Sequence, residues 1–140
     1  MQIPNTSPIV YALLVAILAW VAQPVLANED DRFWDASGTA GRVSMKAKYK
    51  ESPENNLIDQ TLEVQIEDAP ANIGVFVYLN GRKIGKMTTD MFGTGRFRLD
   101  QLGVEPGPDG RPTGARINDG DQISVGRGSQ RVSGTFQERQ

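Results

Sequence analysis

The chain has 140 residues, 15 of them basic and 17 acidic, a formal net charge of −2, and neither histidine nor cysteine. Their absence excludes Ser–His and Cys–His nucleophilic sites, zinc sites of the usual kind, haem attachment, thiol redox chemistry and disulfide staples. The near-neutral balance argues against a general nucleic-acid binder, which carries a strongly basic domain.

Residues 1–27 contain no Asp, Glu, Lys or Arg. The apolar run from Ile9 to Ala22 is followed by Gln23-Pro24-Val25-Leu26-Ala27 and then by Asn28-Glu29-Asp30-Asp31. Val25 and Ala27 occupy the small-residue positions of an export cleavage site, so residues 1–27 read as a signal peptide. No Lys or Arg precedes the apolar run, which leaves an uncleaved membrane anchor as the alternative. That run has 14 residues, whereas a helix spanning a bilayer needs about 20, and extending it crosses Pro24. Cleavage leaves 113 of the 140 residues, the size of one domain able to bury roughly two-thirds of its unfolded surface. The expected location is therefore periplasmic, cell-surface or extracellular, with a membrane contact only if the segment is uncleaved.

Residues 28–36 form an acidic segment carrying Phe33 and Trp34, and the domain proper is expected over 37–140. Val43, Met45, Ala47 and Tyr49 alternate with Ser44, Lys46, Lys48 and Lys50, the period of a half-buried strand. A turn cluster at 51–56 precedes a second alternation, in which Leu62, Val64 and Ile66 face one way. Asn80-Gly81 between two strand-like runs predicts a hairpin with a type I′ turn, because both central residues need positive φ. A two-residue loop pairs Leu79 with Arg82, Tyr78 with Lys83, Val77 with Ile84, Phe76 with Gly85 and Val75 with Lys86. This puts Val77 and Ile84 in the core and the Phe76 ring over Gly85. Arg96 to Leu99 is a short strand with Phe97 and Leu99 inward. Residues 101–120 are rich in Gly and Pro and predict a long loop, and a last hairpin spans Asp121 to Phe136. Seven short strands without a helical period predict an all-β fold, a single antiparallel β-sandwich.

The stretch Val75 to Leu99, with its Asn80-Gly81 turn and Thr88-Thr89-Asp90-Met91-Phe92-Gly93-Thr94-Gly95 connection, resembles exported bacterial β-sandwich modules. Asn118-Asp119-Gly120-Asp121-Gln122-Ile123-Ser124-Val125 resembles the entry to their penultimate strand. The likeness is to immunoglobulin-like and transthyretin-like modules, which mostly bind, space or anchor, and it implies no catalytic residues.

Asp109, Asn118, Asp119 and Asp121 stand beside glycines and offer oxygen ligands for calcium, or serve as turn residues. No EF-hand spacing is present, so no cofactor is implied. Lys46, Lys48 and Lys50 project from one strand face, Arg96 and Arg98 from another, and Lys83 lies beside Phe76 and Tyr78. If those strands share a sheet, its outer face is basic with aromatics interleaved, suited to an anionic polysaccharide. Otherwise the lysines guard strand edges. Phe33 and Trp34 either anchor a partner or cap the core. The carboxylates Asp90, Asp100, Glu105 and Asp109 lie in or beside turns, and no spacing pairs them for acid–base work. Together these features imply a non-catalytic interaction or structural module of the cell envelope whose partner is an envelope protein or polysaccharide. The alternatives are a carbohydrate-binding accessory domain for anionic polysaccharide and a small carboxylate-dependent hydrolase.

Overall fold

The computed structural model describes residues 30–140. The proposed export segment, residues 1–27, lies outside the described residues. Nine strands follow in chain order: β1 (Arg32–Ala40), β2 (Val43–Glu54), β3 (Leu57–Glu67), β4 (Gly74–Leu79), β5 (Arg82–Thr88), β6 (Gly95–Val104), β7 (Gln122–Arg127), β8 (Gln130–Thr135) and β9 (Gln137–Glu138). They form two antiparallel sheets, one in the order β6-β3-β2-β1-β9 and the other β5-β4-β7-β8. The two sheets pack face to face over a core of inward residues that includes Trp34, Met45, Val64, Ile66, Val77, Ile123, Val125 and Phe136. The predicted β-sandwich is therefore the observed architecture, with nine strands rather than seven.

The additional strands come from the ends of the domain. Residues 32–36, assigned by sequence to a separate acidic segment, are the first half of β1, paired along its length with β2. Strand β1 holds only Phe33 and Trp34 as large apolar residues, and Gly38 interrupts it. Gly38 is there because β1 meets β8 across the sandwich: a Cβ on Gly38 would stand 1.8 Å from the Ser133 carbonyl oxygen. A Cβ on Gly134, in β8, would stand 2.6 Å from the Ser37 carbonyl oxygen. The two backbones touch, and only residues without side chains allow it.

Alternation places the interior as expected along β2 and β3. Strand β2 continues to Glu54, however, and the turn is only Asn55-Asn56, with φ of 53° and 66°. Asn80 and Gly81 likewise take positive φ, 51° and 81°. Past Leu79–Arg82 and Tyr78–Lys83, the expected register of the β4–β5 hairpin fails. Ile84 is an extra residue, so Val77 faces Gly85, Phe76 faces Lys86 and Val75 faces Met87. The bulge leaves Ile84 only partly buried and gives the space over Gly85 to Phe97, whose ring would lie 2.1 Å from a Cβ there. Leu99 is not in the core: it faces inward on the outermost strand and remains 50% exposed.

The Gly- and Pro-rich stretch is folded. Strand β6 takes it to Val104, Pro106 bridges Pro112, and Arg111, Pro112 and Ile117 are buried. Arg111 holds this segment down. Its Nε and Nη2 donate to the two Glu51 carboxylate oxygens at 3.0 and 2.7 Å, and its guanidinium lies 4.4 Å from the Trp34 ring centre. It also donates to Asn118 Oδ1 and the Ile117 carbonyl. The Tyr49 hydroxyl donates to Glu51 at 2.8 Å and accepts from the Gln60 amide, which also reaches the Ala115 carbonyl. This inward polar group closes one end of the sandwich.

Candidate functional site

The outer face of the five-stranded sheet is a grid set by register. One row across β6, β3, β2 and β1 is Arg96, Gln65, Lys46 and Ser37, and the next is Arg98, Glu63, Lys48 and Asp35. A third is Asp100, Thr61, Lys50 and Phe33. On this face a concavity of ≈ 840 Å³ is lined by the first two rows together with Thr135, Gln137 and Arg139. Five cations line it against two carboxylates, Asp35 and Glu63, in a chain whose net charge is −2.

Some of those cations are already neutralised. Arg98 donates to Glu63 at 2.7 Å and to Asp100 at 3.0 Å, and Arg139 forms a two-pronged pair with Asp35 at 2.8 and 2.9 Å. Bonding to Arg98, then to Thr61, pulls the Asp100 carboxyl below its ordinary range. Lys50 pairs with Asp31. Lys46, Lys48 and Arg96 are exposed and have no ion pair among the described residues. Three uncommitted cations therefore stand on one hollow surface, with the amides of Gln65 and Gln137 and the hydroxyls of Ser37 and Thr135 around them. Such a surface can hold closely spaced anionic groups and hydroxyls at once.

The cations and the β4 aromatics do not share a sheet. Phe76, Tyr78 and Lys83 lie on the outer side of the four-stranded sheet, where Lys83 Nζ stands 3.8 Å from the Phe76 ring centre. The Arg131 guanidinium lies 3.6 Å from the Tyr78 ring centre, and Tyr78 is 8% exposed. These two rings are covered by the protein's own cations, which leaves little face for a sugar to stack on. Phe33 and Trp34 separate across the sheet. Trp34 is buried against Tyr49 and Arg111, which caps the core. Phe33 is half-buried on the cationic face, between Lys50 and Arg139.

The oxygens proposed for calcium serve the chain itself. Asp121 accepts from the Asn118 amide and from Asn80 Nδ2, and Asp119 accepts from the Glu138 amide. Asp109 accepts from the Arg111 amide and pairs with Arg116, both of which lower its carboxyl pKa, the amide first. Asn118 Oδ1 accepts from Arg111. Among the described residues no three or more His, Cys, Asp or Glu gather as metal ligands would. Of the turn carboxylates, Asp90 caps the amides of Phe92 and Thr94, and Glu105 contributes its backbone carbonyl to the Thr113 amide and hydroxyl.

Sequence reasoning missed Arg139 and Gln137, because β9 is two residues long and its docking on β1 is a tertiary event. Their signal was weak: an Arg-containing polar tail after the last apolar residue, Phe136. It also missed Glu51, Gln60 and Arg111, whose meeting depends on contacts spanning up to 60 positions. No family model matches the chain, and no curated protein matches it.

Proposed function

We propose that this protein is a non-catalytic binding module of the bacterial cell envelope whose hollow sheet face engages an anionic polysaccharide. The observation that carries this reading is the trio of uncommitted cations, Lys46, Lys48 and Arg96, on one concave surface among neutral hydroxyl and amide groups. Uronic or sulfated sugars present that complement, carboxylate or sulfate groups alternating with hydroxyls. Location in the envelope rests on the signal-like residues 1–27 and the resemblance to immunoglobulin-like and transthyretin-like export modules.

The rings of Phe76 and Tyr78, which a stacking platform would need, are already occupied, so the reading rests on charge and hydrogen bonding. Each exposed cation contributes about 1 kcal/mol against a bound anion. Replacing Lys46, Lys48 and Arg96 together by alanine therefore weakens binding roughly 100-fold. The test is affinity electrophoresis of the parent and the triple variant through gels holding polygalacturonate or a neutral glucan. Retardation of the parent by the charged polymer alone, lost in the variant and at high salt, is the expected result. Equal retardation of parent and variant by the charged polymer, each measured against its own mobility in the neutral gel, would overturn the reading.

A further inference from the structure

We infer that the free edge of β6 is a homodimer seam at which two copies of this chain join their five-stranded sheets into one. Among the described residues the two sheets have four edges, and three are blunted. Strand β9 has two residues, β5 carries Lys83, Lys86 and the bulge at Ile84, and β8 lies against β1 at Gly134. Strand β6 has ten residues without Pro or Lys. It runs in regular register with β3 from Gly95 to Gln101, and its one bulge lies beyond that stretch, between Gln101 and Val104. Leu99 and Leu102 on it are 50% and 71% exposed. A long edge with exposed apolar side chains is a template for another strand.

The charges on β6 select the occupant. Two identical strands paired antiparallel are related by a two-fold axis normal to the sheet, so outward residues meet outward residues. An axis at Arg98 would set two Arg98 side chains against each other, and one at Asp100 would do the same to Asp100. An axis at Phe97 would oppose Arg96 and Arg98. Like charges directly opposite are unfavourable. An axis at Leu99 avoids all of these: Leu99 meets Leu99 on the inner side, and Arg98 of each copy faces Asp100 of the other. Within one chain Arg98 uses Nε and Nη1 on Asp100 and Glu63, so Nη2 can reach across. Among axes along Gly95–Gln101, only the one at Leu99 sets opposite charges against each other with no like pair.

This arrangement leaves both hollow faces on the same side, with the two Arg96 side chains flanking the seam. The doubled binding surface that results rests on the proposed function, whereas the dimer itself does not. The test exploits the absence of cysteine from the chain. In full-length protein, Leu99→Cys places two thiols opposite one another with Cβ atoms about 5 Å apart. In Leu102→Cys, each thiol lies three residues from the axis at the edge of the bulge, and the two thiols stand about 20 Å apart. A short bismaleimide, without any polymer present, is expected to trap a covalent dimer of Leu99→Cys and leave Leu102→Cys monomeric. Sedimentation is expected to show Arg98→Asp dimerising about tenfold more weakly, with Asp100→Arg in the same chain restoring it. No trapped dimer of Leu99→Cys, equal trapping of both variants, or no restoration by the charge exchange would overturn the inference.

Discussion

Arg111 is the residue on which the order of the long segment 105–118 depends, and its removal has a calculable cost. In Arg111→Ala the Glu51 carboxylate, 4% exposed, keeps only the Tyr49 hydroxyl as a donor. Removing one partner of a buried pair leaves a charge without compensation and costs about 3–5 kcal/mol. Loss of the guanidinium over Trp34 falls within that figure. A domain of this size is stable by about 5–15 kcal/mol, so the variant folds with a melting temperature lowered by roughly 10–20 °C. Replacing both partners, Glu51→Leu with Arg111→Met, removes the uncompensated charge and is expected to lie within about 2 kcal/mol of the parent. Urea unfolding of the three proteins, followed by tryptophan fluorescence, measures these differences at unchanged slope. A cost below about 1 kcal/mol for Arg111→Ala, or a double variant as damaged as the single, would refute the reasoning.

Tyr49 makes stability depend on alkaline pH. Burial, opposed by the Gln60 amide and reinforced by Glu51, raises its hydroxyl pKa far above the ordinary value. The unfolded chain releases that proton near pH 10 while the folded chain keeps it, so the contribution is complete below about pH 10 and declines above it, by up to about 1.4 kcal/mol per pH unit. Urea melts from about pH 9 to about pH 11 should show this decline in the parent and a flatter profile in Tyr49→Phe. Gly38→Ala, with its Cβ 1.8 Å from a carbonyl oxygen, is expected to cost at least about 1–3 kcal/mol. Gly41→Ala, strained only by a φ of 60° with nothing within 4 Å, should cost about 1–2 kcal/mol, and calorimetry orders the two. Trp34→Ala is expected to cost about 3–5 kcal/mol, whereas Phe33→Ala on the outer face should cost under about 1 kcal/mol. The reverse order in chemical denaturation would assign the core cap to the wrong ring.

The parts of the fold legible in the sequence were those written locally. Asn80-Gly81 specified its turn because positive φ at two successive positions admits few residues, and the alternation from Met45 to Tyr49 and from Leu62 to Ile66 named the inward face directly. What escaped depended on neighbours. Strand β1 has few large apolar residues because its middle presses backbone against β8, so its first half, residues 32–36, read as an acidic segment apart from the domain. Leu99 has the pattern of a core residue but sits on an outermost strand. The bulge at Ile84 goes with Phe97 filling the space over Gly85, a contact between separate sheets that the hairpin's own residues do not encode. For the candidate site, Lys46 and Lys48 were readable as one face. Their union with Arg96 and Arg98, and the separation of Phe76, Tyr78 and Lys83, required strand order, which period-two patterning does not encode.

The central claim is that the hollow face of the five-stranded sheet is the binding surface. It is tested most directly by recording backbone amide NMR shifts of the labelled protein as a short oligogalacturonate is added at low salt. The account predicts that residues around Asp35 to Ser37, Lys46 to Lys48, Gln65, Arg96 to Arg98 and Gln137 move together and saturate, and that added salt reverses the shifts. Shifts centred instead on Phe76, Tyr78, Lys83 and Arg131 would contradict it.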